Sequence, residues 1–418
     1  MTSLLASSTP GERNSTPGMP PALVPDVTSP LRPSESEAIS LMARFADRTG
    51  PSFSRSSRRY LWTDAFAVCN FLGMARLTGE DRYRELALRL VDQVHHTLGM
   101  HRPDDRRTGW LPGADETHPT RGGLRIGKPL RERLEGEPFD AQLEWERDGQ
   151  YFHYLTKWMH ALDQVSRSTR EPRFNRWARE LAEAAFIGFS PASPADGQRR
   201  LVWKMSVDLS RPLVPSMGQH DALDGFITCT QLRTTASIFP GRPAGPGLER
   251  ETAALAAMSD ASDWTTSDPL GIGGLLSDAW RVRQLMSQGA LEDTAWLARL
   301  LAAALAGLQH HAGENDLRQP AAQRLAFREL GLAIGLTAIG RLGSEGSIGT
   351  VGSGRGAGVS ALLQRLDSYR SLGSAIERFW LDREHRETPS WSAHRDINEV
   401  MLATALMPEG FLDLSPAP

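Results

Sequence analysis

Apolar residues recur at three- and four-residue spacing along most of the chain from Glu35 onward. That spacing places them on one face of an α-helix, and the strict alternation typical of strands is scarce. The pattern therefore predicts an all-α protein. The predicted helices are 36–49, 64–78, 82–98, 150–168, 173–188, 221–238, 248–260, 271–287, 291–311, 322–342, 358–380 and 393–407.

Two of the turns between consecutive predicted helices have similar sequences. The run RLTGEDRYRELA at 76–87 can be laid over RSTREPRFNRWA at 167–178. Reuse of a helix-turn-helix unit indicates stacked helical pairs, which either form an open solenoid or close into a ring. Divergent units with long loops favour the ring, so we predict an (α/α)6 toroid of six helical hairpins.

A closed ring of hairpins alternates inner and outer helices, and all inner helices then present their N-termini at one mouth. An inner helix should be apolar nearly all round. The segment 325–339, in which Gly331 and Gly335 permit close approach, fits that role. The inner helices are predicted to begin near Asp64, Gln150, Asp221, Gly271, Ala322 and Ala393.

Composition at the N-terminus separates an arm from the predicted toroid. Residues 1–33 are rich in Pro, Ser and Thr, which is typical of disordered segments, and 34–418 are predicted to form one domain. The arm lacks a signal-peptide core, and no run reaches the roughly 18 apolar residues of a membrane span. We therefore expect a cytoplasmic protein with no membrane partner.

Two glycine-containing connections stand out between the predicted helices. The segment at about 101–148 is long for a compact fold, so it is predicted to be a lid, a binding loop or partly disordered. The Gly-rich run 343–358 is interpreted as a flexible linker.

Charge and cysteine content exclude several classes of protein. A formal net charge of -3 gives no basic field for a nucleic-acid partner. The two cysteines, Cys69 and Cys229, are too few for a disulfide framework. The sequence contains no HExxH, CxxC or GxSxG motif, so we predict neither a metal nor a cofactor. The oligomeric state stays open.

One hairpin resembles that of a known superfamily. The stretch LWTDAF at 61–66, continuing through FLGMARLTGE at 71–80 to Tyr83, Leu86 and Ala87, resembles the opening hairpin of the six-hairpin glycosidases. It is most similar to the unsaturated glucuronyl and rhamnogalacturonyl hydrolases and more distantly to N-acylglucosamine 2-epimerases. The resemblance implies a catalytic role for Asp64. Asp148, in WERDGQ at 145–150, is the nearest counterpart of a second family aspartate, although the order of residues differs.

Three aspartates, Asp64, Asp148 and Asp221, are the candidate catalytic residues. Each lies at or near the start of a predicted inner helix, where an aspartate can equally serve as a helix cap. Glycoside hydrolysis needs a protonated acid and a second carboxylate about 5–9.5 Å away. Because desolvation by aromatic neighbours keeps a carboxyl protonated, Asp148 is predicted to be the acid and Asp64 the base, with the reverse assignment also open.

Aromatic and polar residues near the predicted mouth are the candidate sugar ligands. For each histidine among them, a hydrogen-bonded structural role is the alternative. Basic residues of the long loop would suit an anionic sugar. The candidate binding residues are Trp62, Arg125, Trp145, Tyr151, His153, Trp203, Gln219, His220 and His394.

Three functions remain open from the sequence. The first is hydrolysis of a glycosidic bond in an oligosaccharide or anionic sugar, by paired carboxylates. The second is epimerisation or isomerisation of a sugar, with histidine as general acid and base. The third is non-catalytic carbohydrate binding, because a fold does not by itself establish chemistry. Each of these functions implies a small carbohydrate as the binding partner.

Overall fold

The computed structural model describes residues 30–50, 58–191, 199–241, 244–260, 262–313, 315–344 and 355–414. Most of the predicted N-terminal arm (1–29) and most of the predicted linker (345–354) lie outside the described residues. The α-helices are α1 (Pro33–Thr49), α2 (Leu61–Thr78), α3 (Asp81–Leu98), α4 (Ala141–Glu146), α5 (Phe152–Thr169), α6 (Pro172–Phe189), α7 (Asp221–Ile238), α8 (Glu249–Asp260), α9 (Pro269–Ser287), α10 (Ala295–Gly313), α11 (Ala326–Ser344), α12 (Arg355–Asp367), α13 (Arg370–Leu381), α14 (Arg383–Arg386), α15 (Pro389–Ala393), α16 (Arg395–Leu406) and α17 (Glu409–Leu412).

Six helices form a closed inner ring. In ring order they are α2, α5, α7, α9, α11 and α16, and α16 packs back onto α2. Asn70 of α2 stabilises the contact between α16 and α2, because its side chain donates to the Val400 carbonyl and accepts from the Thr404 hydroxyl. The predicted set of inner helices is therefore confirmed.

Outer helices cover the ring, each against an inner helix next to it in sequence or in space. Helices α3, α6, α8 and α10 pack on α2, α5, α7 and α9, and α13 packs on α11. Helix α1 packs on α16, where Arg48 lies 2.7 Å from Asp396 and 2.6 Å from Glu399. The first outer helix thus pairs with the last inner helix, and this pairing closes the (α/α)6 toroid.

The C-terminal segment closes one end of the ring. The carbonyls of Gly410, Phe411 and Leu412 accept hydrogen bonds from Gln164, His160 and Gln284, which lie on two inner helices. These three side chains lie beyond the first turns of α5 and α9. The segment 410–412, which we call the plug, therefore lies at the end of the ring away from the N-termini of α5 and α9. The opposite end remains as the mouth.

The observed helices depart from the prediction in a few places. Predicted helix 358–380 is two helices, α12 and α13, separated at Ser368–Tyr369. Four short helices, α4, α14, α15 and α17, were not predicted because a single turn carries too little periodicity. Two short 3-10 helices occupy Asn315–Arg318 and Ala321–Gln323.

A small antiparallel sheet was also not predicted. Its strands are β1 (Gln150–Tyr151), β2 (Lys204–Met205) and β3 (Pro212–Val214), in the order β1-β2-β3. In its register Gln150 pairs with Met205 and Tyr151 with Lys204. The sheet fixes the approach to the N-terminus of α5, where candidate site residues lie.

The long loop 101–148 packs against the N-terminal end of α2, where the Leu61 N–H donates to the Ile126 carbonyl. Three apolar residues of the loop itself, Leu111, Leu124 and Ile126, are buried with at most 1 % of each exposed. Many of its arginines form ion pairs with carboxylates within or near the loop. These pairs are Arg102–Asp104 (2.7 Å), Arg107–Glu132 (2.6 Å), Arg125–Asp148 (2.6 Å), Arg133–Glu144 (3.0 Å) and Arg147–Glu137 (2.6 Å).

Glycines let α9 and α11 approach closely, as predicted for Gly331 and Gly335. A Cβ added at Gly273 would lie 2.1 Å from the Gly331 carbonyl oxygen, and one added at Gly335 would lie 2.5 Å from the Gly273 oxygen. Neither backbone can yield without separating the two helices. These glycines therefore set the spacing of the inner ring.

The substitution Gly273→Ala is expected to lower the free energy of unfolding by about 1–3 kcal/mol, because it overpacks this contact. Gly274→Ala is the matched control, since a Cβ there would meet no atom within 4 Å. The control should be neutral or up to about 1 kcal/mol more stable, because alanine favours helix over glycine. Urea unfolding of both variants measures the difference, and equal stabilities would contradict the account.

Within the part of the chain that is described, no helix combines the length and apolar character needed to cross a bilayer.

Candidate functional site

A cavity of about 360 Å³ lies inside the ring. All six inner helices contribute to its wall. From near their N-termini come Trp62, His153, Asp221, Gly271 and Arg328, and Met401 comes from α16. Phe411, from the C-terminal plug, lies at the closed end. The geometry thus gathers polar and aromatic side chains from distant parts of the sequence at one mouth.

Asp221 is the first residue of α7 and is only 5 % exposed. Its Oδ2 accepts no hydrogen bond, and a Cβ at Gly218 would lie 2.3 Å from that oxygen. Gly218 therefore makes room for the carboxyl group. Burial, reinforced by the negative charge of Asp224, raises the pKa of Asp221 to about 7. Desolvation thus outweighs the helix dipole, which alone would keep this group ionised.

Asp224, one turn further along α7, is held in the ionised form. Its Oδ2 accepts from Lys157 Nζ at 2.9 Å and from the Thr156 hydroxyl, and its Oδ1 lies 3.2 Å from Arg281 Nη1. Burial alone would raise the pKa of Asp224, but Lys157 and Arg281 lower it. Both carboxylate oxygens of Asp224 are occupied by these partners. Asp224 therefore influences the cavity by holding Lys157 and Arg281 in position.

Asp278 of α9 is the third carboxyl group of this cluster. Arg281, one turn later on the same helix, donates to its Oδ1 at 2.9 Å, and Oδ2 has no hydrogen-bond partner among the described residues. Burial and the negative charge of Asp224 raise the pKa of Asp278. One oxygen of Asp278 therefore remains available to a water molecule or a ligand.

Arg281 is locked in place by neutral groups as well. Its guanidinium donates to Thr228 Oγ1 and Gln231 Oε1, each at 2.9 Å. Gln231 is held in turn by Asp163, whose Oδ2 accepts from Gln231 Nε2 at 2.7 Å. Because this network is buried and satisfied, it rigidifies the base of the cavity.

Two histidines face the cavity, as predicted. His153 lies 3.9 Å from Asp221 through its Nδ1, which has no hydrogen-bond partner. Burial, with the charge of Lys157, lowers the pKa of His153 to about 4. His220 is anchored, since its Nε2 lies 2.7 Å from the Trp264 carbonyl oxygen, and burial lowers its pKa too. Both rings are therefore neutral at pH 7.

Aromatic side chains form two surfaces of the cavity. Trp62 and Phe66 pack with ring centroids 4.4 Å apart and planes tilted by 38° on the α2 side. Trp203 faces the cavity beside His153, at 6.2 Å. The predicted ligands Trp145 and Tyr151 do not line the cavity; they pack on Trp203 at 4.9 and 5.6 Å and support it from behind.

Asp64 and Asp148, predicted as base and acid, are placed outside the cavity wall. Asp64 accepts from the Tyr60 N–H and faces Arg59 at 3.5 Å; burial raises its pKa to about 6. Asp148 is fully buried and accepts from the Gly127 N–H and from Arg125 at 2.6 Å. Both carboxylates therefore anchor the long loop and its junction with α2, and neither faces the other across the cavity.

The remaining predicted ligands lie at varied positions. Arg125 serves the same anchor, since it also donates to the carbonyls of Thr97 and Met100. Gln219 lines the cavity but donates to the Thr265 carbonyl. His394 precedes α16, is exposed and contacts Phe327 at 5.6 Å, outside the cavity wall.

The sequence did not predict four residues of the cavity wall, Asp278, Arg281, Asp268 and Lys157. A signal existed for the first two, because charged residues three apart in an apolar inner helix can be buried only as a pair. Asp268 caps α9 by accepting from the Gly271 N–H and lies 2.6 Å from Arg328. Arg328 therefore pairs with Asp268, and the neighbouring Glu329 pairs with Arg324 at 2.6 Å.

No cluster of three or more His, Cys, Asp or Glu side chains able to hold a metal occurs among the described residues.

Comparison with solved structures identifies the fold. A GH76 α-mannanase from Bacteroides thetaiotaomicron superposes with a TM-score of 0.53 at 9 % identity, covering 90 % of this chain and 96 % of that chain. A cellobiose 2-epimerase from Bacillus thermoamylovorans gives a TM-score of 0.48 at 9 % identity, with 88 % and 97 % covered. At such identities the likeness shows the fold alone. The likeness to the α-mannanase confirms the predicted (α/α)6 toroid fold.

Neither a protein-family model nor a curated protein sequence matches the chain.

Proposed function

We propose that this protein is a carbohydrate-active enzyme that hydrolyses a glycosidic bond in the central cavity, with Asp221 as the general acid. The observation that carries the proposal is the Asp221 carboxyl group, which lines a cavity walled by Trp62 and Trp203, has a raised pKa of about 7 and carries one oxygen without a hydrogen-bond partner. The fold likeness to an α-mannanase supports a carbohydrate substrate.

In the proposed reaction, Asp221 donates its proton to the oxygen of the leaving sugar as the glycosidic bond breaks. Asp278, through its unoccupied oxygen, accepts a proton from the water that attacks the anomeric carbon. Lys157 and Arg281 keep Asp224 ionised beside Asp221, and that negative charge helps Asp221 to retain its proton. The sugar ring stacks on the tryptophan faces.

The pH dependence follows from the raised pKa of Asp221. A general acid is active while protonated, so kcat/KM should hold through pH 6 and fall as the pH rises past about 7. The pH profile of hydrolysis of a methyl glycoside, whose leaving group needs a proton, measures this alkaline limb. A profile that stays flat to pH 9 would remove Asp221 from the role of acid.

Sugar epimerisation is the second candidate, and His153 is the observation that favours it. Its Nδ1 is unpartnered, its low pKa keeps the ring neutral, and Asp221 lies 3.9 Å away. A neutral imidazole beside a protonated carboxyl group can act as base and acid on the carbon next to a carbonyl. Incorporation of solvent deuterium into a recovered reducing sugar would select this reaction, and free sugar released from a glycoside would select hydrolysis.

A further inference from the structure

We infer that the central cavity accepts an uncharged sugar and discriminates against sugars that carry a carboxylate, sulfate or phosphate group. This inference rests on the proposed function, because it names the substrate class of the same cavity. It replaces the sequence-based expectation of an anionic sugar.

The two cations deepest in the cavity are already neutralised by protein carboxylates. Lys157 Nζ lies 2.9 Å from Asp224. Arg281 Nη1 lies 3.2 Å from Asp224 and 2.9 Å from Asp278. Arg281, Asp224 and Asp278 are buried and Lys157 is only 19 % exposed, so their mutual attraction is little screened by solvent. A substrate anion would have to compete with a covalently fixed carboxylate for each cation.

Arg328 at the mouth is also paired with a carboxylate, in a more exposed position, since the side chains of Arg328 and Asp268 are 43 % and 35 % exposed. Its Nη1 lies 2.6 Å from Asp268 Oδ1, and Asp268 is fixed as the cap of α9. The cavity wall therefore carries the ion-pairing cations Lys157, Arg281 and Arg328, each within 3.2 Å of a carboxylate oxygen.

The other titratable groups of the wall add no positive charge. His153 and His220 are neutral at pH 7, and Asp221 contributes either no charge or one negative charge. With Asp221 protonated and Asp278 ionised in its pair with Arg281, the carboxylates of Asp224, Asp268 and Asp278 equal the three wall cations in number. An anionic substrate would thus enter a site without spare positive charge, at a high cost in desolvation.

The long loop supplies no compensating cation to the cavity. Arg125 forms an ion pair with Asp148, and Arg121 lies 3.2 Å from Glu180. Lys128 lies over the Tyr60 ring at 5.6 Å and is not part of the cavity wall. The basic loop residues that suggested an anionic sugar therefore contact other protein groups outside the cavity.

Binding of matched sugar pairs tests the inference. Titration calorimetry at pH 6 would compare glucose with glucuronate, mannose with mannuronate and galactose with galacturonate. We expect at least one neutral sugar to bind about tenfold or more tightly than its uronate. Uronates that bind as tightly as their neutral partners overturn the inference.

The variant Asp268→Asn provides the converse test. Asparagine keeps the helix cap but removes the negative charge beside Arg328. The affinity ratio of uronate to neutral sugar should then rise about tenfold. Asp81→Asn is the matched control, because it frees Arg84 on the outer surface of α3, where the pair is 2.8 Å long, and it should leave the ratio unchanged. An unchanged ratio in Asp268→Asn contradicts the account of Arg328.

The outcomes separate this inference from the proposed function. Preferential binding of neutral sugars without turnover of any glycoside would retain the inference and reject hydrolysis. Hydrolysis of a uronide in preference to its neutral counterpart would retain hydrolysis and reject the inference. Absence of binding by every member of the panel counts against both.

Discussion

Replacing Asp221 with asparagine is expected to lower kcat/KM for glycoside hydrolysis by about 10²–10⁴-fold, the usual contribution of a general acid. Asparagine preserves the size of the side chain but cannot donate an acidic proton to the leaving oxygen. The measurement is steady-state hydrolysis of a glycoside that the wild-type protein cleaves. Asp81→Asn, on the outer surface, is the control and should keep wild-type turnover.

The leaving group makes the test specific to proton donation. Dinitrophenolate leaves a glycoside without being protonated. The loss of kcat/KM in Asp221→Asn should therefore be much smaller on a dinitrophenyl glycoside than on a methyl glycoside. A structural defect would lower both rates equally. Equal deficits, or full turnover by the variant, would show that Asp221 does not serve as the acid.

Replacing Asp224 with asparagine is expected to lower the free energy of unfolding at pH 7 by about 3–5 kcal/mol, because it leaves buried cations without their partner. Lys157 loses its carboxylate at 2.9 Å, and Arg281 retains only Asp278. Urea unfolding followed by circular dichroism measures the loss. Lys157→Met added to Asp224→Asn should recover part of it, because the stranded cation is removed.

The pH dependence of this loss has a defined sign. The folded-state pKa of Asp224 is lowered, so its stabilising contribution is present above the unfolded pKa of about 4 and is lost as the pH falls towards the folded value. The difference between wild type and Asp224→Asn should therefore be full at pH 7 and smaller at pH 3.

Glu85→Gln is the control for the stability measurement. Glu85 pairs with Arg89 on the exposed face of α3 at 3.2 Å, and such surface pairs contribute about 0–1 kcal/mol. A loss of under 1 kcal/mol in Asp224→Asn, equal to that of Glu85→Gln, would mean that the buried cluster does not stabilise the ring.

The sequence predicted the inner ring because helix periodicity and alternation are local properties of the chain. Helix α7 begins and ends at the predicted residues, 221 and 238. The closed ring rested on a weaker signal, the reuse of one turn. The pairing of α1 with α16 spans the whole chain, and only their apolar faces could suggest it.

The candidate carboxylates were harder to predict, because a position at a helix start does not fix the side to which a side chain points. Trp62 and Asp64 share the first turn of α2, yet two residues along a helix rotate the side chain by about 200°. Trp62 faces the cavity, so Asp64 points away, towards Arg59. Asp221 was identified because it begins its helix after a polar loop. Asp278 lies mid-helix, where no start signal marks it.

The most direct measurement is a crystal structure of the Asp221→Asn protein with a bound neutral oligosaccharide that the wild-type protein cleaves. We expect a sugar ring stacked on Trp62 or Trp203 and the glycosidic oxygen within hydrogen-bonding distance of the side chain at position 221. Sugar bound only outside the ring, such as in the groove beside Trp110 and Trp177 between α3 and α6, with an empty central cavity, would contradict it.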